Sequence, residues 1–411
     1  LARIYFDRRE YRRCAHHLKG CTDQKSLFLR LYAQYMVGSR GGGRRRMVID
    51  RRSFVNERVN IEVAGIVDEL ESMYKQGELD SFNCYLLGVV LRKQQRNEEA
   101  LEALLDSLKA YPLNWSAWEE LGECLDTFDK ANVVLARITD HFTRTAFQCY
   151  LAIERFRYFE VVENTVPKIE KLFPTSRFVK SLYISEAYKL QDFNQAEKHC
   201  DDVRKRDPYQ LEQMDIYSHV LFVKKDRAKL SILARDCEEV DRFRPETCQV
   251  LGNYYGLRQD HEKAITYYRR ALKLDRQCLS VWTLIGHEYV ELGNMHAAIE
   301  AYRRAVDIDH NDYSSFFALG QAYEMLRLFH YAITYFQRAT AIRPFDARMW
   351  KGQASCYENM GEDGAAIKCY QRALAYEADK NETLSKLAFL YKKQKKIDQA
   401  MLCYKHIVSC D

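Results

Sequence analysis

The side chains of this sequence best suited to chemistry are carboxylates and amides that recur on one face of successive helices. Glu288 and Glu324 offer carboxylates, Asn253 and Gln321 offer amide acceptors, and Phe317 offers an apolar shelf. A carboxylate paired with a guanidinium through charge-assisted hydrogen bonds selects arginine. The chemistry expected of this set is therefore capture of an arginine-bearing peptide, without bond making. Nothing in the sequence points to catalysis. It has no phosphate-binding glycine loop, no dinucleotide fingerprint and no nucleophile elbow, and the Gly252-Asn-Tyr-Tyr-Gly256 run falls inside a helix, where it cannot cradle phosphate. His16-His17 lacks Cys or His partners at metal-ligand spacing. No metal or cofactor is expected.

The elements that must position these residues repeat every 34 positions from Pro245 to Asp411. Trp282, Ile285, Gly286, Tyr289, Ala298, Tyr302 and Ala305 mark one copy. Phe316, Leu319, Gly320, Tyr323, Ala332, Phe336, Ala339 and Pro344 lie 34 positions later and are chemically alike. Leu251, Gly252, Tyr255, Ala264, Tyr268 and Ala271 precede them, and copies built on Trp350 and Leu384 follow. This is the tetratricopeptide pattern, two antiparallel helices A and B per repeat. The fold class is all-α, a superhelical solenoid. One helix pair cannot bury its apolar face alone, whereas stacked pairs share a continuous core and leave a groove lined by the A helices. Positions 2, 5, 9 and 12 of helix A face that groove. They are Glu246, Gln249, Asn253 and Gly256, then Ser280, Thr283, His287 and Val290 with Glu288 beside them, then Ser314, Phe317, Gln321 and Glu324. The groove is thus acidic-polar over three copies. Arg348 and Lys351 turn it basic in the next, an end suited to an acidic neighbouring subunit.

Composition agrees with a folded helical chain. Its 411 residues are 47% hydrophobic, with only 6 prolines and a net charge of +5. So mild a charge does not call for nucleic acid or a membrane surface, and no apolar run reaches the length of a membrane span. The 13 cysteines are scattered and form no C-x-x-C pair. They read as small buried hydrophobes in a reducing compartment, with Cys200, Cys248 and Cys369 at core positions. The chain begins with Leu, so its natural N-terminus is expected further upstream.

Residues 1–150 read as N-terminal repeats interrupted by a glycine- and arginine-rich loop at 38–56, with a helix resuming near Val59. An RNA contact by Arg40–Arg46 is one reading of that loop, and a solvated insertion is the other. Residues 151–244 read as degenerate repeats and 245–411 as five regular ones. Lys392–Lys396 reads as a solvated turn.

The degenerate copies carry a closer resemblance. The stretch from Asp207 to Asp275 and the run from Trp282 to Ile308 resemble the tetratricopeptide subunits of the anaphase-promoting complex. IYFDRREYRRCAHHLKGC at Ile4–Cys21, LYAQYMVG at Leu31–Gly38, VVLRK at Val89 and PLNWSAWEEL at Pro112 resemble subunit eight, the cell-division-cycle twenty-three type. The likeness covers nearly the whole chain and is weakest at 38–60, 126–175 and the last repeat. It implies a non-catalytic scaffold that forms V-shaped homodimers through its N-terminal repeats. Such a scaffold stacks with sibling subunits in a ubiquitin ligase, works in nucleus and cytoplasm, and receives the C-box of a coactivator, a motif with an essential arginine. Asn253 and Glu288 match the family's coactivator-binding positions. The sibling subunit three, which takes Ile-Arg tails, is the alternative within this resemblance. The repeat module of a larger enzyme is the alternative outside it.

Overall fold

The computed structural model describes residues 1–21, 23–44, 61–125, 127–138, 141–156, 158–376 and 381–410. Side chains at 38–44, 61–64, 159–160 and 408–410 lie outside the description. Among the described residues every regular element is helical, and the chain divides into two compact units, Leu1–Leu190 and Gln191–Asp411.

The first unit opens with α1 (Ala2–Asp7), α2 (Tyr11–His17), α3 (Gln24–Arg44) and α4 (Ile61–Gln76). The regular pair α5 (Ser81–Lys93) and α6 (Asn97–Ala110) follows, then the short α7 (Trp115–Glu123) and α8 (Phe128–Ala136). Next come α9 (Phe142–Leu151), a π turn at Ala152–Phe156, α10 (Phe159–Leu172) and α11 (Arg177–Lys189). One core runs from Leu27 to Leu151 around the fully buried Trp118, whose indole donates to the Pro112 carbonyl at 2.8 Å. The stretch expected as a loop from Gly38 differs in part: α3 stays helical to Arg44. The packed turns before it, with Leu31 and Tyr35 in the core, supply the nucleus. Each added residue then gains one backbone hydrogen bond without a new nucleation cost. The remainder of the expected loop, including Arg45 and Arg46, lies outside the described residues.

The second unit pairs α12 (Phe193–Arg206) with α13 (Met214–Val223), then α14 (Arg227–Val240) with α15 (Pro245–Leu257) and α16 (His261–Leu274). It continues through α17 (Leu279–Glu291), α18 (Met295–Ile308), α19 (Tyr313–Met325) and α20 (Phe329–Ile342). It ends with α21 (Ala347–Asn359), α22 (Asp363–Tyr376), α23 (Asn381–Lys393) and α24 (Ile397–Cys410). Small residues set the close approach of A to B. A Cβ on Gly252 would meet the Tyr268 ring at 2.3 Å, and one on Gly286 would meet Tyr302 at 2.3 Å. Both tyrosines are buried. The A-to-B turns keep an equally strict register. Gln191, Lys225, Gln259, Gly293, Arg327, Gly361 and Lys395 all have positive φ and fall 34 residues apart. The degenerate copy at 211–244 therefore folds in step with the regular ones, although it lacks their small residues. The division at 190 falls between α11 and α12, the two helices of the repeat at 177–210.

Candidate peptide-binding groove

The groove face of the second unit is built from one side of each A helix. Stepping back 34 residues from Gln249 and Asn253 gives Asp215 and His219 on α13. The electrostatics place these two with the residues read from the regular copies. Burial first, and Glu246 beside it, push the Asp215 carboxyl above its ordinary range. Burial, with His287 nearby, pushes His219 down. His287 is also held below its ordinary value by surrounding protein, although solvent reaches its ring. Its Nδ1 lies 2.8 Å from the Tyr302 hydroxyl. Glu246 keeps one buried carboxylate oxygen, Oε2, without a hydrogen-bond partner. A buried unsatisfied acceptor costs free energy that an incoming donor can recover.

The other expected groove residues divide into two groups. Ser280, Thr283, Phe317 and Glu324 are half-buried, and Ser314, His287 and Gln321 are exposed. Thr283 Oγ1 donates to the Ser280 carbonyl at 2.8 Å. Phe317 stacks at a tilt on Phe336, with ring centroids 5.6 Å apart. Glu324 accepts from Ser355 Oγ at 2.7 Å. These can touch a ligand.

Gln249, Asn253 and Glu288 belong to the repeat interfaces instead. Asn253 is fully buried. It donates to Ser218 Oγ at 2.7 Å and accepts from the Tyr268 hydroxyl at 2.6 Å, which ties α13, α15 and α16 together. Gln249 is 4% exposed and accepts from Ser280 Oγ at 3.3 Å. Glu288 is 6% exposed, 2.6 Å from His261 Nδ1 on α16. Burial raises its pKa, and the histidine opposes that rise. Gly256 lies against this carboxylate: a Cβ there would stand 2.6 Å from Glu288 Oε1. Helix phase gives direction but not depth. It points Asn253 inward correctly, while the tighter packing of degenerate α13 against α15 covers it. Two residues at groove positions went unread in the sequence, Asp215 and His219. The 34-residue step taken once further back would have found them.

At the far end, Arg348 pairs with Asp346 at 2.7 Å and Lys351 with Glu382 at 3.3 Å. The basic copy is thus partly neutralised from within. Among the described residues no group of three His, Cys, Asp or Glu could hold a metal ion, and no helix is long and apolar enough to cross a membrane. Cys200 and Cys248 are buried, with thiols pushed up by burial, and Cys369 behaves alike.

The paired helices, the 34-residue register and the polar groove define a tetratricopeptide-repeat protein. Models of that repeat match residues 245–278, 286–326 and 317–382. The chain is further similar to one family of such proteins: residues 1–183 match the family described as anaphase promoting complex subunit 8 / Cdc23. It is 38% identical over 257 residues to anaphase-promoting complex subunit 8 of Arabidopsis thaliana, covering 62% of this chain and 44% of that protein. It is 36% identical over 248 residues to the cell division cycle protein 23 homolog of Homo sapiens, covering 58% and 40%. The matched part thus spans less than half the length of these relatives. The crystal structure of the Cut9-Hcn1 hetero-tetramer of the same complex superposes with a TM-score of 0.69. That match covers 98% of this chain and 78% of the other at 17% identity, a likeness of fold. The resemblance to the subunit 8 type read from the sequence therefore holds.

Proposed function

We propose that this chain is a non-catalytic scaffold of an anaphase-promoting-complex-type ubiquitin ligase. Its groove receives the cationic C-box segment of a coactivator. The observation that carries the groove reading is the acidic pair on the concave face. Glu246 helps burial to hold the Asp215 carboxyl above its ordinary range, and Glu246 Oε2 is buried without a donor. An arginine would relieve the repulsion and satisfy the open acceptor together. Glu288 and Asn253 serve this site indirectly: Asn253 ties α15 to α13 and α16, and Glu288 ties α17 to α16. Similarity to subunit 8 proteins supports the partners: sibling subunits of the complex and a second copy of this chain joined through the N-terminal repeats. It likewise supports work in nucleus and cytoplasm.

The test is binding of a labelled C-box peptide to the full chain, with the same peptide carrying Arg→Ala as control. Asp215→Asn combined with Glu246→Gln is expected to weaken the arginine peptide by about tenfold or more, the scale of a lost charge-assisted pair. The control peptide should bind weakly to both proteins. Equal affinity of the variant and the parent for the arginine peptide would remove this assignment.

A further inference from the structure

Each copy of the repeat fills the same groove positions, so the copies can be compared with one another. Consecutive A helices meet side by side there. Ser280 Oγ donates to Gln249 at 3.3 Å, Ser355 Oγ donates to Glu324 at 2.7 Å, and Lys351 lies 3.3 Å from Glu382. Position 9 of helix A is engaged in most copies. The Tyr268 hydroxyl donates to Asn253 at 2.6 Å, and the Tyr302 hydroxyl lies 2.8 Å from His287 Nδ1. In the third regular copy the residue in place of that tyrosine is Phe336, which has no hydroxyl. Gln321, at position 9 of this copy, is exposed, and among the described residues its amide has no hydrogen-bond partner.

The same copy departs from the others one helical turn earlier. Position 5 is polar in the neighbouring copies, as Asp215, Gln249, Thr283 and Lys351, but is Phe317 here. Its ring lies at a tilt on Phe336, with centroids 5.6 Å apart, and is half-buried. In the register that sets Glu382 against Lys351, the residue opposite Phe317 is Arg348. That guanidinium is drawn to Asp346, with Nε and Nη2 at 3.0 and 2.7 Å from its two oxygens. Residues four apart share a helix face. The third copy therefore sets an unengaged amide beside a partly open ring on the inner face of α19.

We propose that Phe317 and Gln321 form a second subsite of the groove, which takes a large apolar residue of the same segment that sets its arginine against Asp215 and Glu246. This rests on the reading of the groove as the seat of a cationic segment. Gln321 offers both a donor and an acceptor, as each peptide unit does, so it holds an extended main chain whatever its side chains are. Phe317 supplies the apolar contact. The spacing follows from the fold. The acidic pair spans α13 and α15, and Phe317 stands on α19, two A helices beyond α15. Packed helices lie about 8–10 Å apart, which sets the ring roughly 16–20 Å from the pair. An extended chain covers about 3.3–3.6 Å per residue, so the apolar residue lies about five or six positions from the arginine.

The experiment is fluorescence anisotropy on the full chain with the labelled C-box peptide, extended on either side by a glycine-serine tail. One phenylalanine is set in the tail about three, six or nine residues from the arginine, a range that brackets the span of the groove. The tail without phenylalanine is the baseline. The middle spacing on one side is expected to tighten binding by about tenfold. Phe317→Thr copies the preceding repeat, which has Thr283 there, so the fold is retained, as circular dichroism and the melting temperature would verify. It should abolish the gain and leave the baseline at the parent's value. Gln321→Ala should weaken every peptide whose tail passes it by about threefold, with or without phenylalanine. Asp215→Asn with Glu246→Gln should weaken the whole series and keep the gain. Equal affinity at all spacings, or a gain that survives Phe317→Thr, would overturn this inference, while an arginine-dependent baseline would leave the reading of the acidic pair standing. A baseline indifferent to Arg→Ala in the peptide would remove both.

Discussion

Two histidines report on the groove at the level of single residues. Surrounding protein holds the pKa values of His219 and His287 below the ordinary 6.5, and His287 adds to the effect at His219. The folded state therefore resists a proton that the unfolded chain accepts. Stability is full above the unfolded value and falls as pH drops through it, because the unfolded state then binds more protons. His287 is wet and contributes the smaller part. Asp215 and Glu288, raised by burial, act with the opposite sign toward the acid end. The melting temperature is expected to fall between about pH 7.5 and 5.5, the range that brackets an ordinary histidine. It should fall less in a His219→Gln, His287→Gln variant. An unchanged slope in that variant would show that neither ring is crowded. Asn253 shows why such details escape a sequence. Its inward direction followed from helix phase, but its burial depends on Ser218 and Tyr268, one in the preceding repeat and one in its own B helix.

At the level of the element, the A-to-B turn is where backbone geometry is most constrained. The regular repeats and their helix pairs were legible because apolar and small residues recur at a fixed step. The recurring positive φ was not, because only Gly293 and Gly361 in the second unit mark it with glycine. Gln191, Lys225, Gln259, Arg327 and Lys395 take the same conformation at a steric cost of about 1 kcal/mol each. Gly293 has open space around the place a Cβ would occupy. Gly293→Ala isolates the backbone term and is expected to destabilise the chain by about 1 kcal/mol. Gln259→Gly should move stability in the other direction, by less, because glycine also loosens the unfolded chain. Urea midpoints of the two variants check this. A shift of the same sign in both would mean that side-chain contacts, not backbone strain, govern the turn. The degenerate copies hid part of the site by the same logic. Asp215 and His219 sit in a copy without small residues, so its phase was visible only as a 34-residue step from its neighbours.

For the whole molecule, the cores are local and overlapping. Within the second unit one cluster joins Cys248 to Ala301, the next joins Ala298 to Cys356, and another joins Ala354 to Ala400. The first unit has its own cores, running from Leu27 to Leu151 and from Ala146 to Leu182. Stability in such an array is a sum of repeat and nearest-neighbour terms, so damage should stay near its source. Gly252→Ala is a sharp lesion, because the added methyl lies 2.3 Å from a fully buried Tyr268 ring that has no room to withdraw. Overpacking of this kind costs about 1–3 kcal/mol. Hydrogen exchange on the full chain, read by mass spectrometry of its peptides, should then quicken in α13 and α15–α17. Peptides from α5–α9 should keep the exchange rates of the parent. Faster exchange throughout both units would show one cooperative block, and the Asp215–Glu246 groove would then depend on every repeat. Confinement to the neighbouring helices would mean that the groove is held by the four or five helices that build it.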